Sequence, residues 1–231
     1  GEYDDWVEIY NADEEAIFAS PGTGCIYFPP NLVITEIMYN PPETGDDTVS
    51  FVEIYNNESI PVSLDGYSFT EGIEFEFPYM TLAAGEYLVV AKDGQAFNNT
   101  FGFMPLQWTD GSLDNGGEDI EINDQWGFTI DYVEYDDEMP WDTICDGYGP
   151  SLTLCNPDDD NELPESWTAS LELAAINAAG DTIFASPGAG CGAMAPIADF
   201  VANVTQIETG QSVDFTDLSI GTPTSWDWIF E

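Results

Sequence analysis

The 231 residues carry 45 acidic side chains, one basic side chain (Lys92) and no histidine, so the formal net charge at pH 7 is −44. Such a chain repels nucleic acid and anionic membranes, because binding a phosphate backbone requires Lys and Arg. It also lacks the His and Arg groups on which most general-base, oxyanion and zinc chemistry depends. Hydrophobic residues nevertheless make up 43% of the chain, far more than in a disordered acidic segment. We therefore expect packed domains with acidic surfaces, and no enzymatic activity.

Strand-like segments recur along the chain and predict an all-β fold of antiparallel sandwiches. Each segment alternates apolar with polar residues, which buries one face of a strand and leaves the other wet. In chain order they are residues 32–40, 51–56, 73–77, 87–91, 119–123 and 128–135. Residues 95–101 predict one short helical turn, and residues 169–179 are helix-like.

An internal repeat divides the chain. Residues 11–25 read NADEEAIFASPGTGC and residues 177–191 read NAAGDTIFASPGAGC, which are identical at ten of fifteen positions and lie 166 residues apart. If the second run closes a module at Cys191, the first run closes a preceding one at Cys25. We therefore predict the tail of a preceding module (1–25), a complete β-sandwich (26–191), a linker (192–195) and the first part of a third sandwich (196–231). We expect this third piece to be incomplete, because its three strand-like segments cannot close a sandwich.

The predicted complete sandwich resembles the lamin tail domain, an immunoglobulin-like β-sandwich of nuclear lamins and of secreted bacterial proteins. The resemblance covers residues 32–191 and departs from the family at residues 171–179, where the family is usually shorter. Its motifs are VITEIMYNPP (33–42), FVEIYNN (51–57), SLDGYSFT (63–70), LAAGEYLVVAKD (82–93), GSLDNGGEDIEIND (111–124) and the ending WTAS…ASPG (167–188). The resemblance implies immunoglobulin-like modules in tandem.

Residues 196–231 resemble the first half of a PKD domain through ADF (198–200), VDFTDLS (213–219) and PTSWDWIF (223–230). This combination resembles cargo of the type IX secretion route of gliding bacteria. It implies a non-catalytic structural, adhesive or spacer module of a large cell-surface protein or extracellular filament. The implied partners are neighbouring modules of the same polypeptide, further copies in a homopolymer, or cell-surface and secretion-machinery proteins. The alternative is an accessory targeting module of a secreted nuclease or phosphatase, since lamin tail domains also accompany such enzymes.

The cysteines suit an oxidising compartment. Cys145 and Cys155 bracket a turn rich in Gly at residues 146–150, and a hairpin-like return there predicts a Cys145–Cys155 disulfide. Cys25 and Cys191 occupy equivalent positions of the repeat. Each could pair with the other, pair with a cysteine of a neighbouring module, or stay reduced.

Two acidic loops offer oxygen ligands for calcium, although no cofactor is required by the predicted fold. Residues 156–162 present Asp158, Asp160 and Glu162 at alternate positions, and residues 110–114 present Asp110 and Asp114. Ca²⁺ takes six to eight such ligands. Neither loop has the full EF-hand pattern, and a solvated acidic turn is the competing interpretation.

Two further sets of residues point to chemistry. Glu36 and Glu53 could face each other across neighbouring strands, as the acid and nucleophile of a glycosidase do, but both lie in runs that the lamin tail resemblance assigns to the fold, so we predict no catalytic residue. Thr48, Thr143 and Thr182 lie in Asp-Thr-aliphatic triplets. Gliding bacteria with type IX secretion O-glycosylate threonines in such triplets, so the resemblance to type IX cargo implies O-glycosylation at these three positions.

Overall fold

The computed structural model describes residues 7–10, 16–19, 28–43, 45–177, 179–191, 200–202, 212–213 and 215–217. It divides into two units, Gly1–Pro30 and Asn31–Glu231. Cys25, the predicted linker and most of the predicted third sandwich lie outside the described residues.

The described residues form nineteen strands and one α-helix, α1 (Gly94–Phe101), with 3-10 turns at Thr143–Cys145 and Pro164–Ser166. The strands are β1 (Val7–Tyr10), β2 (Ala16–Ala19), β3 (Leu32–Met38), β4 (Phe51–Asn56), β5 (Val62–Ser63), β6 (Ser68–Glu71), β7 (Ile73–Glu76), β8 (Thr81–Leu82), β9 (Tyr87–Ala91), β10 (Leu106–Gln107), β11 (Asp110–Gly111), β12 (Glu118–Asn123), β13 (Thr129–Tyr135), β14 (Leu152–Leu154), β15 (Trp167–Ala169), β16 (Leu173–Ile176), β17 (Thr182–Phe184), β18 (Phe200–Ala202) and β19 (Phe215–Asp217).

Two sheets pack face to face and confirm the predicted all-β sandwich. The first has six strands in the order β10-β9-β4-β3-β14-β15, and the second has five in the order β11-β7-β6-β12-β13. Neighbouring strands are antiparallel except β9 and β10. Burial of apolar side chains between the sheets drives this packing. The inner core includes Ile34, Val52, Val90 and Leu152 from the first sheet and Phe69, Ile73, Ile120 and Val133 from the second.

The outer face of the six-stranded sheet is also covered. All seven residues of β3 are buried, and so are five of the six in β4. The predicted wet face is therefore wrong for these two strands. Helix α1 and β17 lie over this face and form a second apolar cluster with it, which we call the outer cluster: Met38, Val49, Phe51, Val89, Ala91, Phe97, Ile183 and Ala185.

Helix α1 corresponds to the predicted helical turn. The Asp93 side chain caps it by accepting from the backbone N–H groups of Gln95 (2.9 Å) and Ala96 (3.0 Å), as expected for an N-cap aspartate. The second helix-like stretch is not a helix. Its residues form β16, because they pair with β17 in an antiparallel hairpin, and this pairing overrides the local helix propensity of the Ala-rich sequence.

Residues 171–191 form what we call the closing segment, which contains the β16–β17 hairpin and the chain up to Cys191. Asn177 shapes its turn by accepting from the N–H groups of Ala179 (3.0 Å) and Asp181 (2.9 Å). The Asn177 amide also donates to the Pro42 carbonyl at 2.9 Å, which fastens the turn to the loop after β3.

The hairpin also approaches the sandwich closely at Gly149. Gly149 has φ +114°, and a Cβ there would lie 2.2 Å from the Thr182 carbonyl oxygen. Only glycine permits this approach of the hairpin to the sandwich.

Candidate functional site

Two carboxylates lie directly opposite each other beneath the closing segment. Glu36 of β3 is the Cα partner of Glu53 of β4, after a β-bulge between Ile34 and Glu36. Their strand neighbours Met38 and Phe51 belong to the outer cluster, which places the pair on the outer face of the six-stranded sheet. Both glutamates have an exposed fraction of 0%. The sequence hypothesis that they face each other is therefore right, but the pair is sealed from solvent.

The Glu36 carboxylate accepts three hydrogen bonds. Its Oε1 accepts from the Ser151 hydroxyl and from the Ser186 backbone N–H, the latter at 2.8 Å. Its Oε2 accepts from the Ser186 hydroxyl at 3.2 Å. Glu36 thus joins β3 to the start of β14 and to the closing segment.

The Glu53 carboxylate accepts from two further groups. Thr35 Oγ1 donates to Glu53 Oε1 at 2.8 Å, and the Gly188 backbone N–H donates to Glu53 Oε2. Ser186 and Gly188 together provide three of the five donors to the pair. This role of Ser186 and Gly188 was not predicted from the sequence, although both residues belong to the repeated IFASPG run (183–188), whose recurrence could have marked them.

Burial changes the protonation of the pair. Desolvation raises the pKa of Glu36 to about 7, against the opposing effect of the hydrogen bonds from Ser151 and Ser186. Desolvation and the neighbouring Glu36 charge raise the pKa of Glu53 to about 8. The five donors are uncharged hydroxyl and amide groups, so they favour the ionised form but provide no positive charge to neutralise two ionised carboxylates. The pair therefore retains at least one proton near neutral pH, and the two groups titrate as one coupled unit.

A third carboxylate sits at the same bulge of β3. Asp131 of β13 accepts from the Ile34 backbone N–H at 2.6 Å and from the Asn161 amide at 2.8 Å. Desolvation raises the pKa of Asp131 to about 7. This residue thus links the two sheets by capping the N–H group next to the bulge in β3.

The predicted Cys145–Cys155 disulfide is wrong. Cys155 instead bonds Cys191, with a Cα–Cα distance of 5.0 Å and a sequence separation of 36 residues. Cys145 is a free, buried thiol that donates to the Ser151 carbonyl at 3.4 Å. The intervening chain does not return as a hairpin, because Asp146 bridges to Asn40 of the chain after β3. Burial also raises the pKa of the Cys145 thiol far above its usual range, so this thiol is not a reactive one.

The proposed calcium ligands are placed on the surface and engaged in local hydrogen bonds. Asp158 accepts from the Asn57 amide at 2.9 Å, and Asp160 accepts from the Glu162 N–H at 3.1 Å. Asp110 and Asp114 accept from the N–H groups of nearby glycines, each at 2.8 Å. Among the residues that the structure describes, no three His, Cys, Asp or Glu side chains are grouped so as to hold a metal ion. Calcium binding by these loops stays a prediction.

The three candidate glycan acceptors differ in accessibility. Thr143 is exposed in its 3-10 turn, whereas Thr48 and Thr182 are half-buried. The Thr48 hydroxyl donates to Glu43 at 2.9 Å. Thr143 is therefore the acceptor that a glycosyltransferase would reach most easily, and glycosylation stays a prediction for all three.

A groove of about 290 Å³ lies beside the end of β13, away from the carboxylate pair. Its lining combines aromatic, apolar and acidic side chains: Tyr132, Glu134, Asp136, Glu138, Met139, Pro140, Trp141, Glu162 and Pro164. Within the described part of the chain, no helix is long and apolar enough to span a membrane.

Comparison with known proteins gives one family match. The model of the Lamin Tail Domain family matches residues 28–137, which include strands β3 to β13 and both members of the Glu36–Glu53 pair. No curated protein matches the chain. The matched segment supports the lamin tail resemblance that the sequence motifs carried, and the two-sheet architecture agrees with the immunoglobulin-like fold of that family. Residues 28–137 are thus similar to the lamin tail domain, and they lie within an immunoglobulin-like β-sandwich.

Proposed function

We propose that residues 31–191 form a non-catalytic structural module, which acts as a spacer or adhesive unit in a large secreted bacterial surface protein or filament. The observation that carries this proposal is that the carboxylates of Glu36 and Glu53 are hydrogen-bonded to groups of the module itself. The pair accepts hydrogen bonds from Thr35, Ser151 and the closing segment, so its role is to hold the module closed.

The burial of the pair favours this role over catalysis. A glycosidase pair must reach both sides of a sugar ring from an open cleft, whereas both carboxylates have an exposed fraction of 0%. The strongly raised pKa values alone would suggest a functional site. Desolvation beneath an ordered segment accounts for them without a substrate.

The extracellular part of the proposal rests on three features. The Cys155–Cys191 disulfide suits an oxidising compartment. The net charge of −44 keeps a long surface protein soluble and free of nucleic acid. The repeat indicates several modules in one polypeptide. The resemblance to PKD domains and to type IX cargo suggests type IX secretion as the route of export.

An accessory binding module of a secreted hydrolase is the second candidate. The groove beside β13 favours it, because Tyr132 and Trp141 lie there beside four carboxylates. A surface of this kind suits a cationic ligand, since aromatic faces and carboxylates both attract positive charge. In this case the enzymatic activity would belong to another domain of the same protein.

The test is a hydrolase screen on the purified chain, with glycoside, phosphomonoester and phosphodiester substrates. We expect no turnover above buffer, and the same result for Glu36→Gln and Glu53→Gln variants. Turnover that both variants abolish would show that the pair is catalytic. A catalytic domain in the complete gene, in place of further sandwich modules, would favour the second candidate.

A further inference from the structure

The two copies of the repeat agree where the second copy contacts its module. Within the repeat, contacts to the module are made by Asn177, Ile183, Ser186, Gly188, Gly190 and Cys191. All six residue types recur in the first copy, 166 residues earlier: Asn11, Ile17, Ser20, Gly22, Gly24 and Cys25. Within the repeat the copies differ at positions 179–182 and 189, of which Thr182 is half-buried and the others are exposed. Before the repeat, Ala174 and Ala175 also pack against the outer cluster, and the first copy has Glu8 and Ile9 there. The repeated run of the first copy has therefore kept the residues needed to contact a module of this kind.

Gly190 shows how specific these contacts are. Its φ is +64°, and a Cβ there would lie 2.3 Å from the Tyr87 hydroxyl oxygen. A side chain at this position would have to displace Tyr87 and adopt a backbone conformation that L residues rarely take. Glycine also stands at the matching position 24 of the first copy.

The first copy also forms an antiparallel hairpin, and its pairing next to the turn matches that of the second copy. In the second copy, β16 pairs with β17 through Ala175↔Ile183 and Ile176↔Thr182. In the first copy, β1 pairs with β2 through Ile9↔Ile17 and Tyr10↔Ala16. These two pairs, which lie next to the turn, coincide at a shift of 166 residues. Farther from the turn the second hairpin has a register shift and pairs Leu173 with Phe184, whereas the first pairs Glu8 with Phe18.

We propose that residues 7–25 are the closing segment of a second copy of this module, and that they dock on the outer face of that copy's six-stranded sheet. Ser20 and Gly22 then donate to the carboxylate pair of the second copy, at its counterparts of Glu36 and Glu53. This inference rests on the proposed function, because it requires a protein built from repeated modules.

The proposal also assigns a partner to Cys25. Since Cys191 bonds Cys155, Cys25 bonds the cysteine that stands at the position of Cys155 in the second copy. The two thiols lose two hydrogen atoms to a disulfide oxidant such as oxidised glutathione, which becomes two molecules of reduced glutathione. One disulfide of this kind then fixes each closing segment to its sheet.

The test uses the full chain with its own closing segment released. In the triple variant Cys25→Ser/Ile183→Asp/Cys191→Ser, a carboxylate in the outer cluster opposes docking of the segment, and the Cys155 thiol is free. A synthetic peptide of residues 1–25 is added with oxidised glutathione, and cross-linked products are mapped by mass spectrometry. We expect a peptide Cys25–Cys155 disulfide.

Two matched peptides make the test specific. The Thr23→Ala peptide carries the residue of the exposed position 189 and should cross-link as well as the natural peptide. The Ile17→Asp peptide should cross-link at least about tenfold less, because it cannot enter the outer cluster. Equal cross-linking of all three peptides would overturn the proposal.

A second variant covers the case in which the triple variant does not fold. In the wild-type chain, residues 177–191 are replaced by residues 11–25. We expect a disulfide between Cys155 and the cysteine at position 191, and a melting temperature within about 3 °C of the wild-type value. Loss of that disulfide would contradict the proposal. Neither result depends on the hydrolase screen, so the proposed function and this inference can fail separately.

Discussion

The two faces of the six-stranded sheet are covered in different ways. The inner face packs apolar side chains against the second sheet. The outer face surrounds two buried glutamates with apolar residues and is closed by a segment that donates hydrogen bonds to them. Apolar packing has little dependence on pH, whereas a buried carboxylate pair depends on it strongly. One sheet can therefore support a core that is insensitive to pH on one face and a closing segment that is sensitive to pH on the other.

The largest effect should come from a cavity on the inner face. Ile54→Ala removes a side chain with 0% exposure from the inner core, and we expect it to lower the free energy of unfolding by about 2–5 kcal/mol. Denaturant unfolding at two pH values, about 6 and about 8 as set by the raised pKa values of the pair, measures the loss. The loss should be the same at both pH values.

Ile183→Ala is the matched change on the outer face. The same atoms are removed, but the loss cannot exceed the free energy with which the closing segment docks, because the segment can open locally. A smaller loss of global stability than for Ile54→Ala, with faster hydrogen exchange in the closing segment, is the expected result. Equal global losses would mean that the two faces unfold as one unit.

The next effect concerns the disulfide that ends the closing segment. Cys191→Ser opens the loop between Cys155 and Cys191, and we expect a loss of about 2–4 kcal/mol. Thermal unfolding with and without reductant measures this loss, since the variant should be insensitive to reductant.

In the wild-type chain, a thiol reagent should modify Cys145 only after unfolding, because this thiol is buried. Rapid modification of Cys155 in the native protein would contradict the observed pairing.

The two cysteine arrangements show what sequence could and could not predict. The spacing predicts a Cys145–Cys155 disulfide because the two cysteines are ten positions apart and bracket a glycine-containing turn that can form a hairpin. The backbone around Cys145 instead pairs with the chain after β3, where the Gly147 N–H donates to the Asn40 carbonyl at 3.0 Å. Contacts between residues so far apart in sequence leave no local signal. The repeat did mark the closing segment, and its identities match the contacts with the sheet.

The strands themselves were predictable, but their burial was not. The alternation of apolar and polar residues located β3 and β4 within one or two residues of their observed bounds. That pattern gives Glu36 and Glu53 a common face. It does not reveal what covers that face, because helix α1 and the closing segment come from later parts of the chain. The sequence therefore predicts that Glu36 and Glu53 face each other, but it does not predict that both are buried.

A pH effect should distinguish the faces further. The pKa values of Glu36 and Glu53 are raised from 4.5 to about 7 and about 8, so the folded state binds more protons than the unfolded state between pH 4.5 and about 8. The free energy of unfolding should be highest near pH 4.5 and fall as the pH rises through 7 and 8, by up to about 1.4 kcal/mol per pH unit for each group.

A double variant isolates the contribution of the pair. Glu36→Gln/Glu53→Gln should have a smaller slope of stability against pH than the wild-type chain. The slope that remains belongs to Asp131, whose pKa is also raised to about 7, to Glu118, whose pKa burial also raises, and to repulsion among surface carboxylates. Identical slopes for wild type and variant would exclude the pair as the source of the pH dependence.

The smallest effect should be that of calcium. The carboxylates of Asp158, Asp160 and Glu162 are exposed, and screening of surface charge is common to all salts. We expect calcium chloride and sodium chloride at matched ionic strength to raise the melting temperature equally, within about 1 °C. A calcium-specific increase that Asp158→Asn/Asp160→Asn removes would instead establish a site in this loop.

The central claim is that the closing segment docks over a buried carboxylate pair that retains a proton, and hydrogen exchange of the Ser186 and Gly188 amides tests it most directly. These N–H groups donate to Glu36 and Glu53. Exchange is measured by NMR from pH about 5 to 9, a range that brackets the raised pKa values, and is corrected for the intrinsic pH dependence of exchange. The account predicts that protection of these two amides falls as the pH passes through 7 and 8, while the amides of Ile54 and Ile120 in the inner core stay protected. Protection of Ser186 and Gly188 that does not change with pH would contradict it.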